Sequence, residues 1–123
     1  MRVRLGWGLG LAALAMVAAG PAPAASRRPA TPVNPANEKL LAMTPAERDA
    51  MLARAVGHWC IATEAFEMGV IHSGRGAGNA YWSVRCVDGA EWAVQIDPLE
   101  NFVAIDCLSF KAAGEGKECF KKF

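Results

Sequence analysis

The chain has 123 residues, of which 53% are hydrophobic, and a formal net charge of +1. That length suits one domain, and the near-neutral balance argues against a nucleic-acid binder, which normally shows a basic stripe. The Lys121–Lys122 pair is too small to change this.

The N-terminus reads as a secretory signal peptide. Arg2 and Arg4 give a positive start, Leu5 to Ala19 form an apolar run, and Ala22-Pro23-Ala24 is a small-x-small cleavage pattern. The run is about 15 residues, short of the ~20 that a spanning helix needs. A signal anchor is the rival, and the cleavage pattern counts against it. Cleavage is expected near Ala24 or Ala25, so residues 1–25 are assigned to the leader. About 98 residues then remain; two arginines leave with the leader, and the formal charge of +1 becomes about −1. The mature protein is expected to be soluble, meeting the membrane only through the leader before cleavage.

Residues 26–37, SRRPATPVNPAN, hold three prolines and almost no large apolar groups, so they are expected to be a disordered linker. A single α+β domain is expected over 38–123. Residues 38–43 are expected to add a short turn. TPAERDAMLARAVG then has the marks of a helix over 45–57. Thr44 suits the N-cap, Pro45 the first helical position, and Glu47 completes a capping box. Leu52, Ala55, Val56 and Trp59 form a stripe at helical spacing, and Gly57 offers a stop. A hydrophobic staple is missing, because Arg48 stands at the fourth helical position.

From Trp59 the period changes to two. CIATEAFEM predicts a strand with Cys60, Phe66 and Met68 on one face, and HSGRGAGNA predicts a loop. Trp82, Val84 and Cys86 alternate with Tyr81, Ser83 and Arg85; Trp92, Val94 and Ile96 alternate with Glu91, Ala93 and Gln95. A three-residue loop at Val87-Asp88-Gly89, with Gly89 left-handed, puts both apolar sets on one face. NFVAIDCLSF predicts a fourth strand with Val103, Ile105 and Cys107 inward. The expected fold is one N-terminal helix on a four-strand antiparallel meander, stapled by disulfides. Trp82 and Trp92 are then core residues.

All four cysteines lie beyond the leader, and an even count in a small exported chain predicts two disulfides. Cys60 and Cys86 can meet across the first two strands. Cys86 and Cys107 would lie two strands apart, ~10 Å, beyond the ~7 Å limit for a bridge. The expected pairs are Cys60–Cys86 and Cys107–Cys119. The Ala-, Gly- and Arg-rich composition suits GC-rich bacterial coding, which points to a periplasmic or secreted protein.

Sites were sought by residue type and spacing. Cys-x-x-Cys-His and Cys-x-x-Cys are absent, which removes haem attachment, thioredoxin-like redox chemistry and a paired-cysteine zinc knuckle. His58 and Cys60 could share a metal, but a disulfide cysteine beside a surface histidine is the simpler reading. GRGAG at 74–78 lacks the strand-before, helix-after context of a dinucleotide loop; His72 and Arg75 mark it only as a candidate loop site, for example for an anion. No nucleophile–base constellation is visible, so no enzymatic activity, no cofactor and no metal are expected. On the sheet face away from the helix, a four-residue turn at Asp97–Glu100 would align Tyr81, Gln95 and Phe102 in one row and Arg85, Glu91 and Asp106 in another. Tyr81, Arg85 and Phe102 are therefore the candidate interaction patch. An ordinary solvated face with an Arg–Glu pair is the simpler alternative.

AYWSVRCVDG, with a downstream cysteine and the terminal ECFKKF, resembles a group of small exported bacterial proteins. The likeness spans about half of the mature chain. It implies that the cysteine and tryptophan framework is a shared scaffold, and it carries no activity. The helix-plus-meander arrangement is also similar to small periplasmic binding or inhibitory modules such as PepSY-like domains, a likeness of fold that licenses no function. The expected function is a non-enzymatic periplasmic module that binds a protein or envelope component. A small-ligand or metal-binding protein and a small hydrolase are the alternatives. The leader assignment is tested by intact mass of exported material, expected to start near Ala25 or Ser26. A species retaining Met1 to Ala24 would refute it.

Overall fold

A computed structural model describes residues 32–123. The leader and most of the expected linker lie outside the described residues.

The stretch expected to be linker enters the fold at its C-terminal end. Helix α1 spans Pro35–Ala42, with Pro35 in the first turn and Asn34 as N-cap. Asn34 is only 3% exposed. Its Oδ1 accepts from the Asn37 amide at 3.0 Å, and its Nδ2 donates to the carbonyls of Gly78 at 2.8 Å and Ile96 at 2.9 Å. One side chain thus caps a helix and fastens it to the sheet. Gly78 is required there. Its φ is +90°, and an added Cβ would stand 2.9 Å from Pro98 Cγ.

Helix α2 spans Pro45–Val56 and opens on the expected capping box, with both Thr44–Glu47 bonds made. Arg48, out of place as a staple, takes another role. Its Nε donates to Leu40 O at 3.0 Å and its Nη2 to Met43 O at 3.2 Å, occupying carbonyls at the end of α1. Its guanidinium also lies 5.1 Å from the centre of the Trp82 ring.

Strands β1 (Ala62–Val70), β2 (Ala80–Cys86), β3 (Glu91–Ile96) and β4 (Phe102–Asp106) form an antiparallel meander in the order β1-β2-β3-β4. Helix α3 (Cys107–Ala112) follows, where the sequence suggested that the fourth strand ran on. Asp106 ends the strand because its carboxylate accepts from the Ser109 amide at 2.9 Å, as an N-cap. The disulfides are Cys60–Cys86 and Cys107–Cys119, as expected.

The β2–β3 hairpin matches its expectation. Val84 faces Trp92, and Gly89, at φ +89°, closes the loop through Gly89 N–H to Cys86 O at 2.9 Å. The β3–β4 hairpin does not. Asp97 N–H donates to Asn101 O at 3.0 Å, Glu100 N–H donates to Asp97 O at 3.1 Å, and Glu100 sits at φ +68°. This is the same three-residue loop closed one position later than the four-residue turn assumed. Ile96 therefore pairs with Phe102, and Gln95 with Val103. A one-residue slip turns every β4 side chain over. Phe102 and Ala104 face the α1–α2 core; Ile105 packs on the other face, and Val103 is largely exposed.

Irregular pairing also splits the expected face of β1. Register shifts lie between Ala62 and Glu64 and between Glu67 and Gly69. Cys60, Ala62 and Ala65 pack against the helices, whereas Phe66 and Met68 pack on the opposite side.

The sheet is consequently covered on both faces. Leu40, Leu52 and Val56 from α1 and α2 meet Trp82, Val84, Val94 and Ile96. Trp82 Nε1 donates to Asn37 Oδ1 at 2.7 Å, so the largest buried ring has its polar atom satisfied. On the second face Phe110 of α3 joins Met68, Ala93, Tyr81 and Cys119. The tail docks there through Phe120 N–H to the buried Ser83 Oγ at 2.8 Å and Phe123 N–H to Met68 O at 3.1 Å. The expectation of one helix and one open face is corrected to a three-layer arrangement.

Asn34→Ala should lower unfolding stability by at least about 2 kcal/mol, because two buried carbonyls and a helix cap lose their partner. Urea unfolding measures this. Asn34→Asp keeps a good cap but cannot donate, so it should rescue little; full rescue would mean that the link to the sheet contributes nothing.

Candidate functional site

The structure does not assemble the expected patch. Tyr81 and Arg85 lie on the tail-covered face, and Phe102 lies on the helix face. The Tyr81 hydroxyl donates to Gln95 Oε1 at 2.9 Å, and its ring packs 5.6 Å from Phe110 and 5.5 Å from Phe123. Burial, the largest influence, pushes the Tyr81 hydroxyl pKa up. Arg85 pairs with Glu64 and, at 3.8 Å, with Glu91, and it covers the Phe120 ring at 4.6 Å. These side chains are committed to intramolecular packing. The cross-strand Arg–Glu pair weighed as the simpler alternative is present.

The loop at 71–79 is also occupied with itself. The amides of Ala77, Gly78 and Asn79 donate to Gly74 O, Ile71 O and Gly76 O at 3.2, 2.8 and 2.9 Å. An anion would need such amides free. His72 and Arg75 are exposed. Arg75 adds the last of four influences on Glu115, whose pKa is lowered chiefly by its hydrogen bond to Lys117.

The feature that stands out lies between α2 and β1. Gly57, His58 and Trp59 have φ of +66°, +49° and +58°. Two consecutive non-glycine residues in the left-handed region cost roughly 1–3 kcal/mol each. The turn is held at every point except one. Gly57 N–H donates to Ala53 O at 3.0 Å, and Cys60 N–H donates to Gly57 O at 2.9 Å. The His58 ring stacks on Trp92, with centroids 4.9 Å apart and planes 11° apart. Cys60 is bonded to Cys86. Trp59, in the middle, is 99% exposed. The helical spacing that put Trp59 on the α2 stripe fails because the helix stops at Val56 and the chain reverses hand. Burying a tryptophan removes ~150–250 Å² from water, so leaving it out forgoes about 4–6 kcal/mol by area.

Trp59 has apolar company. Ile61 is 66% exposed and Val87 is 65% exposed. Val87 N–H donates to Ile61 O at 2.8 Å, which sets the two residues side by side. An open hollow of about 740 Å³ runs along α2 beside them. Ala46, Asp49, Ala50, Ala53 and Arg54 line its helical side, and Trp59 and Ile61 line the other. Among the described residues neither Asp49 nor Arg54 makes an ion pair.

A second hollow, about 590 Å³, lies between the β2–β3 turn and α3. Glu118 there pairs with Lys111 at 2.7 Å and with Lys121. Those two lysines, Lys111 first, hold the Glu118 carboxyl at about 2, well below its usual range. These charges are already matched to one another.

Among the described residues no three His, Cys, Asp or Glu side chains converge as metal ligands, and no helix is long and apolar enough to cross a membrane. His58, considered as a ligand beside Cys60, is stacked on Trp92, and the Cys60 sulfur is in a disulfide. Fully paired cysteines are the pattern of an oxidising compartment. No family model, curated protein or solved structure matches the chain.

The Glu118 bonds give a pH dependence of definite sign. A carboxyl whose folded pKa is lowered stabilises the fold above its unfolded value, and that contribution is lost as pH falls toward the folded value. The tail should loosen between about pH 4.5 and 2. In a melting series Glu118→Gln should differ from the parent above this window and converge with it at its acid end; a constant difference would remove the carboxylate from the account.

Proposed function

We propose that this protein is a non-enzymatic, exported binding module, and that its contact surface is the Gly57–Ile61 turn with the hollow beside α2. The partner is a protein or an envelope component. The observation that carries this reading is Trp59, wholly exposed on a strained turn whose neighbours are pinned by a disulfide and a ring stack. Strain and exposure both work against folding stability, and both cluster at sites that act on something else. Tryptophan is also the side chain most enriched among residues that dominate binding energy. The surface replaces Tyr81, Arg85 and Phe102 as the proposed anchor. It keeps the expectation that the framework of cysteines and tryptophans shared with small exported proteins is a scaffold.

A photo-crosslinking residue tests this in the living cell. Trp59→benzoylphenylalanine should give a covalent adduct after irradiation. The same replacement at Val103, exposed on β4 but away from the turn, should give none. Absence of an adduct at position 59, in protein shown to be exported and oxidised, would overturn the proposal.

A further inference from the structure

Resting on that reading, we infer that the occupant of the Trp59 surface is a second copy of this chain, docked about a two-fold axis. The surface holds both halves of a complementary contact. Trp59 is a fully exposed knob, and the open hollow it borders, lined along α2 by Ala46, Ala50 and Ala53, has room for such a knob from a second copy. A two-fold axis presents the same patch on both partners, so each knob meets the other's hollow. The charges obey the same symmetry. Asp49 and Arg54 lie on the helical side of the hollow, five positions apart along α2, and neither has an intramolecular ion-pair partner among the described residues. Asp49 and Arg54 flank the alanine strip on opposite sides, so parallel apposition of two α2 helices about the two-fold axis brings Asp49 of one copy to Arg54 of the other, twice. A partner of uniform charge would leave one of them opposed.

The local charges also weigh against a bilayer as occupant. Glu64, Asp88 and Glu91 outnumber Arg85 at the same end of the sheet as Ile61 and Val87. An anionic membrane surface favours basic side chains around its apolar anchors, and a flat bilayer does not fill a hollow. The near-zero net charge of the chain puts little repulsion between copies.

Sedimentation velocity on the oxidised mature protein, from low to several hundred micromolar, is the test. The wild type should pass from monomer to dimer over that range. Trp59→Ala should remain monomeric with an unchanged melting temperature, since its side chain packs on nothing in the monomer. Asp49→Arg and Arg54→Asp should each weaken the dimer at least tenfold, because each places two like-charged pairs in the interface. The double variant D49R/R54D should restore it. A wild type that stays monomeric throughout, a dimer indifferent to Trp59→Ala, or a double variant no better than the singles would overturn the inference. The mass of the position-59 adduct separates this failure from failure of the wider reading. Twice the chain mass supports a second copy; any other mass overturns that occupant and leaves the binding surface standing.

Discussion

The Cys60–Cys86 bond decides where the chain can go between α2 and the sheet. Cys86 is buried at the end of β2, and Cys60 must reach it only four residues after the last residue of α2. Continuing the helix would carry Trp59 round onto the α2 stripe. The link instead demands a reversal within Gly57–Trp59, and the backbone takes three left-handed residues to achieve it. Only one of them is glycine. The strain is offset by the disulfide, by the His58–Trp92 stack and by the bond from Cys60 N–H to Gly57 O. The exposure of Trp59 follows from how the turn is tethered. A surface held this rigidly loses little conformational entropy on binding, which is the general advantage of a preorganised contact.

The β2–β3 and β3–β4 hairpins show what a sequence can disclose about register. Their loops have the same bonding, with the left-handed third position filled by Gly89 in one and by Glu100 in the other. Glycine announces such a position, and glutamate does not. The second loop is instead fixed by Asp97, whose Oδ1 accepts from the amides of Leu99 and Asn101 at 2.9 Å each. The Asp97 and Asn101 signals were present in the chain, but aspartate and asparagine suit several turn types. The missed residue in the loop length turned β4 over and made Phe102 look like a surface residue. The same arithmetic applies to β1, where the extra residues in the pairing have no glycine or proline before Gly69 to mark them.

Helix α2 and its capping box, the meander, the β2–β3 hairpin and both disulfides were legible because each rests on local chemistry or on parity along one strand. The second core was not. Phe110, Phe120 and Phe123 come from a segment with no clear periodicity, and their places on the sheet depend on the Cys107–Cys119 link and on Ser83 as a buried acceptor. Asn34 was missed for a similar reason. A proline-rich, polar stretch has the composition of a linker, yet one buried amide with three well-placed bonds brings it into the fold. Helical spacing places Trp59 on the α2 stripe; Gly57 marks the stop, but nothing in His58 or Trp59 signals that these two residues also turn left-handed.

The account depends on Trp59 standing in water in the free molecule and leaving it in the complex. Indole N–H signals in a nitrogen–proton NMR spectrum report this directly, with exchange into deuterated solvent. In dilute protein the Trp59 indole should exchange at once, while that of Trp82, bonded to Asn37, should persist. Raising the protein concentration should shift and protect the Trp59 signal and leave Trp82 unmoved. A Trp59 indole already protected at the lowest concentration would place the ring inside the monomer and contradict the account.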